Sequence, residues 1–304
     1  MAPLHINVIR NIFAAGEHIA PRLAGRAAFE LFCRTPNPAR LTPGERKAVS
    51  RAKTFMEGAR HHRLATPAGC VALHEFRPPE QGGEKRQTVL VVHGWRSRTE
   101  YMRALIAAHR AAGYRVVSLD LPGHGGSSGR RLNMASAVGA VRAAADWFGP
   151  FAAIVGHSFG GAVAINAAVG SVEGFDAVPT ERIVAIASPS SLPNLFRQFG
   201  KRLHLGPRSQ EIVNRQVLRV TGRPLPEFET ADQLRRLPIP TLLIHDEDDA
   251  EVPVDEAILA AGAGGHVRLH LTRGLGHRRI INDAATVQAT VAFVTENSAE
   301  PVLH

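Results

Sequence analysis

Residues 151–170 read FAAIVGHSFGGAVAINAAVG, and the way this run is parsed decides the fold. Its only strongly polar members are His157, Ser158 and Asn166, and twenty such residues have the length of a membrane span. The glycine pattern argues for a different origin. Residues 152–157, AAIVGH, form an apolar run of strand length; 156–160 is G-x-S-x-G; and 160–169 is Ala/Val/Gly-rich and of helical length. The pentad alone carries little weight, because at average Gly and Ser usage of about 7% roughly one protein in ten of this length has it by chance. Between a buried strand and a helix it gains meaning, since the serine then sits on a sharp turn with its Oγ exposed. Gly156 and Gly160 suit a turn too tight for neighbouring Cβ atoms, and Gly161 lets the helix approach the sheet.

On either side of this run the same alternation continues. QTVLVVH (87–93), RVVSLD (115–120), RIVAIAS (182–188), PTLLIHD (240–246) and HVRLHLT (266–272) read as strands, the internal ones apolar enough to be buried on both faces. Residues 99–112, 133–148 and 282–293 read as the intervening helices, and 70–76 as an earlier strand, antiparallel at the edge. The pattern predicts an α/β class: a mostly parallel, doubly wound sheet with helices on both faces. Two segments fall outside it. Residues 1–65 look helical in pieces, broken at Pro21, Pro36, Pro38 and Pro43. Residues 190–238 leave the alternation with the amphipathic pieces LPNLFRQFGKRL and EIVNRQVLRVTG, the shape of a helical cap over the strand ends. The expected division is therefore an N-terminal extension at 1–65, a core at 66–189 and 239–304, and a cap at 190–238.

A serine hydroxyl is a weak nucleophile at neutral pH and needs a general base, itself oriented by an acid. His277, in GLGH just after the last expected strand, is the candidate base, and Asp249, in the carboxylate-rich loop after PTLLIHD, the candidate acid. With Ser158 they follow in the chain order Ser, Asp, His.

Together these pieces resemble an α/β-hydrolase, of the serine esterase, monoacylglycerol lipase and lysophospholipase group. The resemblance runs from about residue 87 onward and rests on VVHGW (91–95), DLPGHGGSSG (120–129), GHSFGG (156–161), the D-x-x-V-P loop beginning at Asp249 and the G-x-G-H loop ending at His277. It implies the α/β-hydrolase fold, with Ser158 as nucleophile, His277 as base and then acid, and Asp249 as orienting carboxylate. Among the crowded Asp246, Glu247, Asp248 and Asp249, it aligns the acid to the residue four before Pro253. It also implies an oxyanion hole from the backbone N–H groups of Trp95 and Phe159. Where Asp246 stands, the family usually has glycine.

Composition narrows the function classes. The chain has 304 residues, 44% hydrophobic and 21% charged, which excludes a disordered or fibrous protein. Two cysteines, Cys33 and Cys70, do not make a secreted disulfide framework, and residues 1–16 show no secretory h-region with a cleavage site, so a reducing, cytoplasmic setting is expected. The formal net charge is +9, concentrated in the extension and the cap. Two Trp, two Tyr and no recognisable motif argue against nucleic acid. The basic extension reads as a helical layer packed on the domain, with peripheral contact to an anionic lipid surface as the sharper reading.

The expected activity is hydrolysis of a small-molecule acyl ester without cofactor or metal. Leu195, Phe196 and Phe199 of the cap and Leu275 of the histidine loop are candidate substrate-lining residues. The basic cap suggests an anionic alcohol portion met by Arg197, Lys201 and Arg202. The same triad serves thioesterases, C–C hydrolases and haloperoxidase-like enzymes, and a non-enzymatic binding protein is the reading from another class.

Overall fold

The structure, a computed structural model, describes residues 4–78 and 87–296, so the last residues of the expected core segment, 297–304, lie outside it. The chain opens with three helices, α1 (Leu4–Ile19), α2 (Pro21–Cys33) and α3 (Pro43–Glu57). Proline at the first position starts α2 and α3, where its missing N–H costs nothing, and Thr42 with Glu45 closes a capping box on α3. Then follow β1 (Arg60–Thr66), β2 (Gly69–Phe76), β3 (Thr88–Val92), α4 (Arg103–Ala111), β4 (Arg115–Leu119), α5 (Met134–Phe148), β5 (Phe151–His157), α6 (Phe159–Val169) and β6 (Thr180–Ile186). Helices α7 (Leu192–Leu203), α8 (Pro207–Thr221) and α9 (Thr230–Arg236) form the excursion. The chain returns as β7 (Thr241–Asp246), α10 (Val254–Ala261), β8 (Val267–Thr272), α11 (Gly276–Arg279) and α12 (Ala284–Thr295).

The strands make one sheet in the order β1-β2-β4-β3-β5-β6-β7-β8. β2 is antiparallel to both neighbours and every other pairing is parallel. This is the α/β-hydrolase fold. Helices α5 and α6 cover one face, where α2, α7 and α8 join the same core; α4 and α12 cover the other. The apparent membrane span is β5 followed by α6, buried because it is the centre of the sheet and the helix lying on it. No helix among the described residues is long and apolar enough to cross a membrane.

One expectation needs correcting. The extension is not helical through residue 65: α3 ends at Glu57 and Arg60–Thr66 is a strand paired antiparallel with β2. Its sequence, RHHRLAT, has little apolar alternation because it is a half-exposed edge strand, and the hairpin closes through Gly69, whose φ of +118 suits glycine.

The extension is also built into the cap. Glu17 at the end of α1 accepts hydrogen bonds from the N–H groups of Arg208 and Ser209, both at 2.9 Å, so it caps α8 from another part of the chain. Burial alone would raise its pKa; the bonds from Ser209 and Arg208 more than offset this and hold it below the ordinary value. On α2, Gly25 lies directly against Ile212 and Ser209, with no room for a Cβ. Both cysteines are free, and burial pushes the Cys33 thiol up to about 12.

Candidate active site

The C-terminal ends of β3, β5, β7 and β8 converge on one edge of the sheet, where open α/β folds bind ligands. β5 ends at His157 and α6 begins at Phe159, leaving Ser158 on the turn with φ +53 and ψ −126, a strained backbone for a residue with a Cβ. The elbow closes only because Gly156 packs its Cα against the Gly160 carbonyl and Gly160 against that of Val92; a Cβ at either would overlap backbone.

Ser158 Oγ lies 2.9 Å from His277 Nε2, and His277 Nδ1 lies 2.8 Å from Asp249 Oδ2. Asp249 Oδ1 accepts from the N–H groups of Glu251 (2.8 Å) and Val252 (2.9 Å). Burial alone would raise the Asp249 pKa, but the bonds from His277, Val252 and Glu251 outweigh it and hold the carboxyl below its ordinary value. An ionised carboxylate only accepts, so Nδ1 carries the imidazole proton and Nε2 is free to accept from the serine O–H. The structure thus brings together the three side chains singled out in the sequence. Glu251, which the sequence did not single out, sits 4.0 Å from His277 Nε2 and holds Arg278 at 2.9 Å.

The loops are positioned by groups less visible in sequence. Asp246, buried at the end of β7, accepts from Thr272 Oγ1 (2.8 Å), Gly276 N (2.9 Å), Leu275 N (3.1 Å) and Asp248 N (3.1 Å). Its carboxylate therefore clamps the acid loop to the histidine loop. His157 Nε2 donates to the carbonyl of His277 at 2.8 Å. Burial lowers the His157 pKa to about 4, so the ring stays neutral at ordinary pH. In the loop after β3, His93 Nε2 accepts from Leu121 N at 3.0 Å and its Nδ1 donates to Gly94 O at 2.7 Å. His124 does the same for Arg96 N (3.1 Å) and Pro122 O (3.1 Å). These histidines hold loops rather than face the serine.

Gly94 lies against Ser158, where a Cβ would come within 2.8 Å of the serine Cβ. The next residue, Trp95, packs its ring 5.5 Å from that of Phe159. Among the described residues neither the Trp95 N–H nor the Phe159 N–H has a hydrogen-bond partner, which leaves both donors beside the serine.

Next to Phe159 is a cavity of about 20 Å³ whose exposed lining is wholly apolar. Leu195 and Phe196 line it, together with Leu192 and Val217. Phe199 is not on its wall but packs edge-on against Phe32 at 5.1 Å. Leu275 has its N–H pinned by Asp246 and is partly buried against the core on the opposite face of the sheet. Two wall residues the sequence reading missed, Phe29 and Phe32, come from α2; their i, i+3 spacing marks one helix face but not what it meets. Arg197, Lys201 and Arg202 are exposed on α7. Among the described residues no cluster of three or more His, Cys, Asp or Glu is arranged to hold a metal ion.

The profile of the Alpha/beta hydrolase family matches residues 89–289. Among solved structures, the chain is similar to a carboxylesterase from Bacillus subtilis at 16% identity and TM-score 0.60, over 82% of this chain and 96% of that one. It is similar to a membrane phospholipase A described as a bacterial virulence factor at 19% identity and TM-score 0.57, over 82% and 89%. A thioesterase domain from the curacin biosynthetic pathway aligns at 16% identity and TM-score 0.54, over 78% and 99%. At such identities the likeness is one of fold. No curated protein matches the chain. The family match spans well over half of the sequence, and with the sheet order and the elbow it places the chain in the alpha/beta hydrolase family.

Proposed function

We propose that the protein is a serine hydrolase that cleaves a small carboxylic ester through an acyl-enzyme on Ser158. The observation that carries this reading is the unbroken chain Ser158 Oγ, His277, Asp249 at 2.9 and 2.8 Å, with the carboxylate held ionised. His277 Nε2 takes the serine proton as Oγ attacks the ester carbonyl, and Asp249 stabilises the imidazolium. The tetrahedral oxyanion is received by the N–H groups of Trp95 and Phe159, donors each worth about 10²–10³ in rate. His277 then gives its proton to the leaving alcohol, and in the second half it activates water against the acyl-enzyme. The carboxylesterase, phospholipase and thioesterase named above support acyl transfer as the reaction class.

The acyl group enters the apolar cavity beside Phe159. At about 20 Å³ it has room for little more than one water molecule, so short acyl chains fit best. Longer ones require Phe32 and Phe196, whose rings pack at 4.4 Å, to move apart. The test is turnover of p-nitrophenyl esters from acetate to palmitate, with fluorophosphonate labelling alongside. Ser158→Ala should abolish labelling and lower kcat by about 10⁴-fold or more, and Phe196→Ala should shift the chain-length optimum upward. A folded wild-type protein that neither labels nor turns over any ester would overturn the proposal in favour of a binding protein.

A further inference from the structure

Eleven large apolar side chains are exposed among the described residues, and six of them, Val8, Ile9, Ile12, Ile19, Leu23 and Leu31, lie on α1 and α2. They form a face rather than a scatter. Val8, Ile12 and Ile19 follow i, i+4, i+11 spacing, which stacks them along one side of α1. Ile12 is 63%, Ile19 83% and Leu23 67% exposed, so they project outward instead of filling a seam. Between the helices runs an open groove of about 630 Å³, lined by Ile9, Ile12 and Leu31 together with Glu30, Arg34, Arg130 and Arg131.

The arginines are gathered by backbone pairing. Arg34 and Arg131 form an isolated antiparallel bridge, and Thr35 N donates to Arg130 O at 3.0 Å. Arg131 is paired with Glu30 at 2.7 Å. Among the described residues, Arg34 and Arg130 have no acidic partner, nor do Arg22 and Arg26 on the exposed side of α2.

We propose that this outer face of α1 and α2 is a docking surface for an anionic lipid bilayer, the aliphatic side chains entering the headgroup boundary and the arginines meeting lipid phosphates. The chemistry fits an interfacial helix pair lying in the plane of the membrane. All six exposed side chains are aliphatic, whereas the cores of protein interfaces are enriched in aromatic residues. A second copy of the chain, itself at a formal net charge of +9, offers less negative charge to the unpaired arginines than an anionic lipid surface does.

Removing the extension would strip β1 from the sheet and two phenylalanines from the cavity, so the test uses point substitutions in the full chain. Co-sedimentation is measured with vesicles of phosphatidylcholine alone and of phosphatidylcholine mixed with phosphatidylglycerol. The wild type should pellet with the anionic vesicles, less with the neutral ones, and progressively less as salt is raised. Ile12→Glu combined with Ile19→Glu should lower partitioning by about a hundredfold at an unchanged melting temperature. Arg34→Ala combined with Arg130→Ala should lower it by about tenfold or more on anionic vesicles only; this pair stands alone if the isoleucine variant does not fold. Absence of pelleting with anionic vesicles, or equal pelleting of wild type and both variants, would overturn the proposal. So would a dimer in light scattering that Ile12→Glu dissociates, which would assign the face to a second copy.

Discussion

A single carboxylate that is absent from the usual pattern, Asp246, ties two loops together at this site. It accepts four hydrogen bonds, two of them from Leu275 and Gly276 immediately before His277. An amide in its place keeps the volume but turns one acceptor into a donor that faces N–H groups. Asp246→Asn should therefore cost about 2 kcal/mol of stability and, by loosening the histidine loop, lower kcat by about tenfold or more with KM little changed; urea denaturation and steady-state kinetics on a short ester check both. Equal kinetics in the variant would show that the loop is held by other contacts. Ser158, Asp249 and His277 were legible because each sits in a short motif whose spacing is fixed by the turn it occupies. His157, like His93 and His124, reads from its place inside a motif as a residue that holds a loop by hydrogen bonds, but which loop is not legible, and Asp246 reads only as a departure from the usual glycine. The bonds that tie Asp246 and His157 to the histidine loop go to backbone atoms about thirty and 120 residues away, respectively, and no side-chain pattern encodes a backbone partner.

At the level of elements, the sequence exposes strands that are buried on both faces and hides those that are not. β3, β5, β6 and β7 are apolar runs between turn residues, whereas β1 is polar, half-exposed and visible only through its pairing with β2. Helices α1 to α3 could be separated at their prolines, yet nothing in their spacing tells that α2 meets the cap rather than solvent. The bond from Glu17 to the start of α8 is the joint that makes extension and cap one layer. Glu17→Ala should lower stability by about 1–2 kcal/mol, as loss of a charged N-cap does, seen as a lower urea midpoint. Glu17→Asp should not restore it, since the shorter side chain does not span the gap between the helices. An unchanged midpoint in Glu17→Ala would mean that apolar contacts alone hold α1 in place.

Several histidines among the described residues are buried and held neutral. Burial lowers the pKa values of His109, His124 and His157 to about 4, and that of His93 also lies below the ordinary 6.5. The unfolded chain therefore binds more protons than the folded one as pH falls from about 6.5 towards 4, so stability is fully present above that window and declines through it. Each such histidine adds a slope of up to about 1.4 kcal/mol per pH unit. Asp120, Asp246 and Asp249 have lowered pKa values as well, and their contribution is lost at still lower pH. Thermal melts between about pH 8 and 4 should show a flat region and then a steep fall that begins near 6.5; a melting temperature independent of pH down to about 5 would refute this account. The same joint between extension and cap has a further consequence, in time rather than in energy. Glu17 and Arg208 are 191 residues apart, so at about 5–20 residues per second the ribosome takes about ten to forty seconds to deliver the partner of α1 after α1 itself has been made. For much of that interval Phe29 and Phe32, on the inner face of α2, lack Phe196 and the rest of the cap that they pack against in the folded protein. A nascent chain of this protein is thus at its most adhesive long before its last strand is synthesised, and slow translation through the cap would prolong the exposure.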